Sequence, residues 1–154
     1  MEFLDQKLDD YVCNFTTEES EVLKALNRET HAKVLQPRML SGHLQGRVLS
    51  MLSHMIKPKR ILEIGTYTGY SAICLAEGLA EGGKIHTIDI NEELQKMIEN
   101  YVDSAGLSEQ IEVHIGNALE IVPQLNEDWD LVFIDADKEN YINYYKMIAP
   151  KLRS

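Results

Sequence analysis

From residue 60 onward, short β-branched runs alternate with helical patterns, and that alternation leaves few folds open. The runs are 60-RILEI-64, 84-KIHTIDI-90, 111-IEVHIG-116 and 129-WDLVFIDA-136. Each has the length and residue types of a buried or half-buried strand. Helical patterns fill 71–80, 92–106 and 117–122, the second ending at Gly106 and the third stopped by Pro123, and a last one spans 139–150. Strands separated by helices of this size pair in parallel through crossovers. The expected fold is α/β, a Rossmann-like doubly wound sheet.

The first third is different. Residues 2–35 read as helical, with Thr16 or Thr17 ahead of Glu18, Glu19 and Glu21 as a capped start, and Val22, Leu23, Leu26 and Val34 at helical spacing. Pro37 breaks that pattern. A second helix is expected over 41–55, with Leu44, Val48, Leu49, Leu52 and Met55 on one face, ended by Pro58. A length of 154 residues suits one domain with one core: N-terminal helices over 1–57 and an α/β part over 58–154. The fourth strand would be left as a hydrophobic edge, VFI, with unpaired backbone groups. The expectation is a fragment of a longer protein, lacking its C-terminal strands.

Composition narrows the function. No apolar run approaches the ~18 residues a membrane span needs, and the acidic start MEFLDQKLDDYVCNF has no basic segment of a secretory signal. The formal net charge is −10 and the longest basic run is 57-KPKR-60, which disfavours general nucleic-acid binding but leaves open a basic pocket for one RNA loop. Two cysteines, Cys13 and Cys74, are too few for a disulfide framework and are expected as free thiols in a reducing cytoplasm. The five histidines show no H-E-x-x-H or other zinc spacing, and His43, near the expected pocket, is read as packed or solvated.

The loop after the first strand, 65-GTYTG-69, lacks both the third glycine of a dinucleotide fingerprint and the G-K-[ST] of a phosphate loop. Gly65 allows a sharp turn where a ligand can approach the backbone. Ser71, near the start of the next helix, suits a carboxylate. Glu63 suits an ammonium group. Asp89, 20 residues after Gly69, suits ribose hydroxyls. An adenine would lie at 117-NA-118. Together these favour S-adenosylmethionine over NAD or ATP. The plainer alternatives are a turn glycine and an Asp89 that caps 92-EEL. At the fourth strand end, 135-DADKENY-141 offers Asp135 and Asp137 for a hard cation such as Mg2+, Ca2+ or Mn2+, with Lys138 as a base whose pKa the cation would lower. The plainer alternative there is an acid-decorated helix start.

ILEIGTYTGYSA, TIDI and FIDADKENY, in this order and spacing, resemble the cation-dependent O-methyltransferases of the caffeoyl-CoA and catechol type. The resemblance covers nearly the whole chain, including the helix over 39–52. It implies the class I methyltransferase fold, S-adenosylmethionine and a divalent cation as cofactors, a small hydroxyl acceptor of catechol or phenylpropanoid type, and a homodimer. It implies that Ser41, Glu63, Gly65, Thr66, Ser71, Asp89, Ala118, Asp135 and Asp137 contact the cofactor, that Asp135 is a metal ligand, and that Lys138 is catalytic. Tyr141, Tyr144 and Tyr145 are read as packing or dimer surface, with Tyr141 at the site's edge. Other readings are a methyltransferase for hydroxylated uridine in tRNA and a non-catalytic cofactor-binding fragment. The missing third glycine leaves an NAD-dependent dehydrogenase a distant fourth.

Overall fold

Four parallel strands form the centre of the molecule: β1 (Arg60–Ile64), β2 (Lys84–Asp89), β3 (Ile111–Ile115) and β4 (Leu131–Ile134), in the order β3-β2-β1-β4. The structure, a computed structural model, describes residues 5–153. The chain steps from β1 outward to β3, then returns to the far side of β1 as β4. That reversal between β1 and β4 is the switch point of a doubly wound sheet, where ligands bind at the carboxyl ends of the strands.

Both faces of the sheet are covered, as a parallel sheet requires. On one face, Ile61 and Ile85 pack with helices α2 (Glu21–Lys33), α3 (Gly42–Ile56), α4 (Tyr70–Ala76) and α5 (Gln95–Ser104), through Leu23, Leu26, Leu49, Ile73 and Ile98. On the other, Leu62, Ile64 and Ile88 pack with α6 (Ala118–Ile121), α7 (Tyr141–Ile148) and the fully buried Trp129. Strand alternation explains the division, since successive residues point to opposite faces.

Several boundaries depart from the sequence expectation. Residues 2–4 lie outside the described residues. The remainder of 2–35 forms two helices, α1 (Gln6–Phe15) and α2, because 16-TTEES-20 offers no apolar residue to bury. Thr16 closes α1, and the cap of α2 is Ser20, whose hydroxyl accepts from Leu23 N–H at 3.3 Å. The helix expected over 71–80 stops at Ala76, where Gly78 passes against the backbone of Ser53 and His54. The last helix is shorter, with single 3-10 turns at Lys138–Asn140 and Ala149–Lys151 on either side.

The edge beside β4 is partly occupied. Trp129 N–H donates to Lys151 O and Arg153 N–H donates to Trp129 O, both at 2.8 Å, so Trp129 and Leu152 form a parallel bridge. Along Leu131–Ile134 the described residues supply a ladder partner only on the β1 side. No helix among the described residues is long and apolar enough to cross a membrane.

Candidate functional site: a cavity at the strand ends

The carboxyl ends of all four strands open into one cavity of about 1020 Å³. Its floor is Gly65 and Thr66 after β1, Asp89 at the end of β2, Gly116 to Ala118 after β3, and Asp135 to Lys138 after β4. Nine of the ten residues singled out from sequence line it: Ser41, Gly65, Thr66, Ser71, Asp89, Ala118, Asp135, Asp137 and Lys138.

Gly65 sits where the floor is tightest. Its φ is +105°, and an added Cβ would lie 2.5 Å from the carbonyl oxygen of Asp135. Only glycine lets the β1 and β4 loops meet. Asp89 then anchors the 65–69 loop from below. One carboxylate oxygen accepts from Tyr67 N–H at 2.7 Å and the other from Asn91 N–H at 2.9 Å. The turn at 92-EEL is capped by Asn91, which accepts from Glu93 N–H at 3.0 Å. Asp89 therefore ties the two loops together, and its remaining lone pairs border the cavity.

Glu63 is the exception. It is fully buried and takes no place in the cavity wall. Thr66 hydroxyl contacts Thr87 hydroxyl at 2.5 Å, and Thr87 donates to one Glu63 oxygen. The other oxygen, Oε1, has no hydrogen-bond partner among the described residues. Burial pushes the Glu63 carboxyl up to about 7, the nearby hydroxyls of Ser71 and Thr87 pull it part of the way back, and Asp89 and Asp135 add to the rise. A raised carboxyl keeps its proton in the folded state after the unfolded chain has lost it. Its stabilising effect is complete below the ordinary value of 4.5 and is lost as pH passes about 7. We expect folding stability to fall by on the order of 3 kcal/mol across that window from this group. Urea unfolding of the ligand-free chain at several pH values checks this, and Glu63→Gln should flatten the slope.

At the fourth strand end, Asp135, Asp137 and Lys138 are exposed and share the cavity wall. Asp137 is held by Tyr144 hydroxyl at 2.6 Å and Asn140 Nδ2 at 2.5 Å, hydrogen bonds that lower its pKa. Tyr144 is buried, so it packs the core rather than a dimer surface. Among the described residues, no group of three potential ligands includes Asp135 or Asp137. The described residues do not complete a cage for the expected cation.

Two parts of the site were not foreseen. Residues 35–40 form a wall over the cavity, visible in sequence only as the break at Pro37. Tyr67, in the left-handed region at φ +52°, fastens that wall, its hydroxyl lying 3.3 Å from Leu35 O and 3.2 Å from Gln36 O. No local pattern announced it.

The sequence profile of an O-methyltransferase family matches residues 13–154. The chain belongs to this family. It is 40% identical over 136 residues to caffeoyl-CoA O-methyltransferase 5 of Nicotiana tabacum, an alignment covering 84% of this chain and 56% of that protein. The chain thus spans about half the length of the curated O-methyltransferases it matches. Among solved structures, the O-methyltransferase from Bacillus cereus in complex with SAH superposes with a TM-score of 0.89 at 32% identity, over 96% of this chain and 68% of that one. The O-methyltransferase TomG from Streptomyces achromogenes, in complex with SAM, gives 0.88 at 30% identity, over 96% and 67%.

Proposed function

We propose that the chain forms the S-adenosylmethionine-binding part of an O-methyltransferase that methylates a small catechol-like or phenylpropanoid hydroxyl. The observation that carries this reading is the convergence of four strand-end loops on one cavity, with Asp89 and Ser71 in its wall and no phosphate cradle. The donor set fits the cofactor. A carboxylate faces where a ribose would lie, and Ala118 leaves room for an adenine. Solved relatives hold SAH and SAM. Glu63, beneath the floor, acts through the Thr66–Thr87 hydroxyl chain rather than by contact.

When bound, S-adenosylmethionine supplies a methyl group on a positively charged sulfur. The chain's own part is to bind, orient and deprotonate. A phenol with a pKa of ~10 costs about 4 kcal/mol to ionise at pH 7. Lys138, at the cavity wall, takes the hydroxyl proton in its neutral amine form. Asp135 would offer one carboxylate to a divalent cation, whose remaining ligands the described residues do not supply. Opposite charges are neutralised as the methyl moves, so exclusion of water favours the reaction. A homodimer is part of the proposal, supported by the exposed Val48, Met51 and Met55 on α3.

Calorimetric titration with S-adenosylmethionine, after circular dichroism establishes folding, tests the reading. Saturable one-site binding supports it, and a folded chain that ignores the cofactor sinks it. Transfer of labelled methyl to catechol or caffeoyl-CoA, with and without EDTA, tests the acceptor class and the cation. Lys138→Met should leave cofactor affinity within about twofold while reducing transfer by on the order of 100-fold.

A further inference from the structure

His86, Glu112 and His114 meet on one face of the sheet, on strands that sequence spacing keeps 28 residues apart. β2 and β3 bring them together: His86 lies in register with Glu112, and His114 follows two residues later on the same face. His86 Nδ1 and His114 Nε2 are 3.0 Å apart, and each lies 3.7 Å from a Glu112 oxygen. The imidazole planes are 17° apart with centroids at 5.3 Å, so the rings face each other edge to edge. His86 is 6% exposed, and its other nitrogen, Nε2, is buried beside the Trp129 indole with no hydrogen-bond partner among the described residues.

We propose that this triad is a binding site for a borderline transition-metal ion such as Zn2+, separate from the cofactor cavity. Ligands at ~2.0–2.1 Å around a tetrahedral ion stand roughly 3.3 Å apart, close to the spacings here. The ion sits off the line joining the nitrogens, on the Glu112 side, after a small rotation of both rings. Two imidazoles and one carboxylate select Zn2+, Co2+, Ni2+ or Cu2+ over Mg2+ and Ca2+, the opposite preference to an oxygen-only site at Asp135. Three protein ligands leave the fourth position to water. The ion clips the edge strand β3 to β2. His86 Nε2 lacks the usual outer acceptor, so binding is weaker by roughly 10–100-fold than at a fully supported site.

The site shares no residue with the cavity wall. Asp135 follows β4, two strands from β2 and about 10 Å across the sheet.

The test is calorimetric titration of the tag-free, chelator-treated chain with ZnCl2, and with CoCl2 followed by the visible absorption of tetrahedral Co2+. The expected result is one ion per chain, unaffected by excess Mg2+ or by Asp135→Asn. Because Glu112 is 52% and His114 17% exposed at the side chain, both can be replaced without opening the core. His114→Gln and Glu112→Gln, each checked by circular dichroism, should weaken binding at least tenfold, and His114→Gln should abolish the tetrahedral Co2+ spectrum. Absence of saturable binding overturns the proposal. So does binding that survives both variants, or that disappears with Asp135→Asn.

Discussion

Asp89→Ala is expected to weaken S-adenosylmethionine binding by at least 100-fold, equivalent to about 2.7 kcal/mol. The carboxylate accepts backbone N–H groups of Tyr67 and Asn91, holding two of the four loops that form the floor. Hydrogen bonds to a charged group are worth about 1.5–3 kcal/mol each, so its loss also slackens the loops before any ligand arrives. The proposed ribose contacts go with it. Asp89→Asn retains one acceptor oxygen and should lie between the two, about tenfold weaker than the parent chain. Calorimetry on both variants, with melting curves to establish that they are folded, checks the order. A folded Asp89→Ala chain that binds within threefold of the parent would show that the cofactor does not rest on this strand end.

The second large effect is on the fold itself. Gly65→Ala places a Cβ 2.5 Å from Asp135 O and 2.8 Å from Asp135 C, both backbone atoms with nowhere to retreat. It also forces an alanine to φ +105°. Backbone strain of this kind costs on the order of 1–3 kcal/mol. Separation of the loops further threatens the bond from Asp135 N–H to Ile64 O at the end of the β1–β4 ladder. We expect a loss of at least about 3 kcal/mol, or roughly 10 °C in melting temperature for a chain of this size. Gly82→Ala is the comparison. It has φ +69° but nothing within 4 Å of the new Cβ, so it carries the backbone strain alone. Thermal denaturation of the two variants separates steric contact from conformational strain. Equal losses would mean that the β1 and β4 loops are not in close contact.

The central sheet was legible because its signals are local. Each strand carries its own β-branched run, Pro58 and Gly106 mark helix ends, and parallel topology follows from the helices between. Nine of the residues named from sequence fall in the cavity wall for the same reason, since strand ends converge once the topology is known. Glu63 stands outside the cavity wall although it too lies near a strand end. Alternation puts it on the Ile61 face, one residue before the end, beneath α4 rather than in the opening. The histidine pair escaped for another reason. Its partners sit on two strands, and only the register of β2 against β3 aligns them. Tyr67 and the 35–40 wall depend on how loops far apart in sequence settle on one another, for which no residue pattern exists.

The fastening of that wall has a kinetic consequence. Leu35 is 88% exposed and Met39 58%, so opening the wall at its tip removes little apolar surface from the interior. Among the described residues, the side-chain hydrogen bonds at the tip come from one phenol, at the backbone of Leu35 and Gln36. The floor, by contrast, is fixed by the sheet. A ligand's residence would then depend on this fastening of the wall, and its affinity on the strand ends beneath.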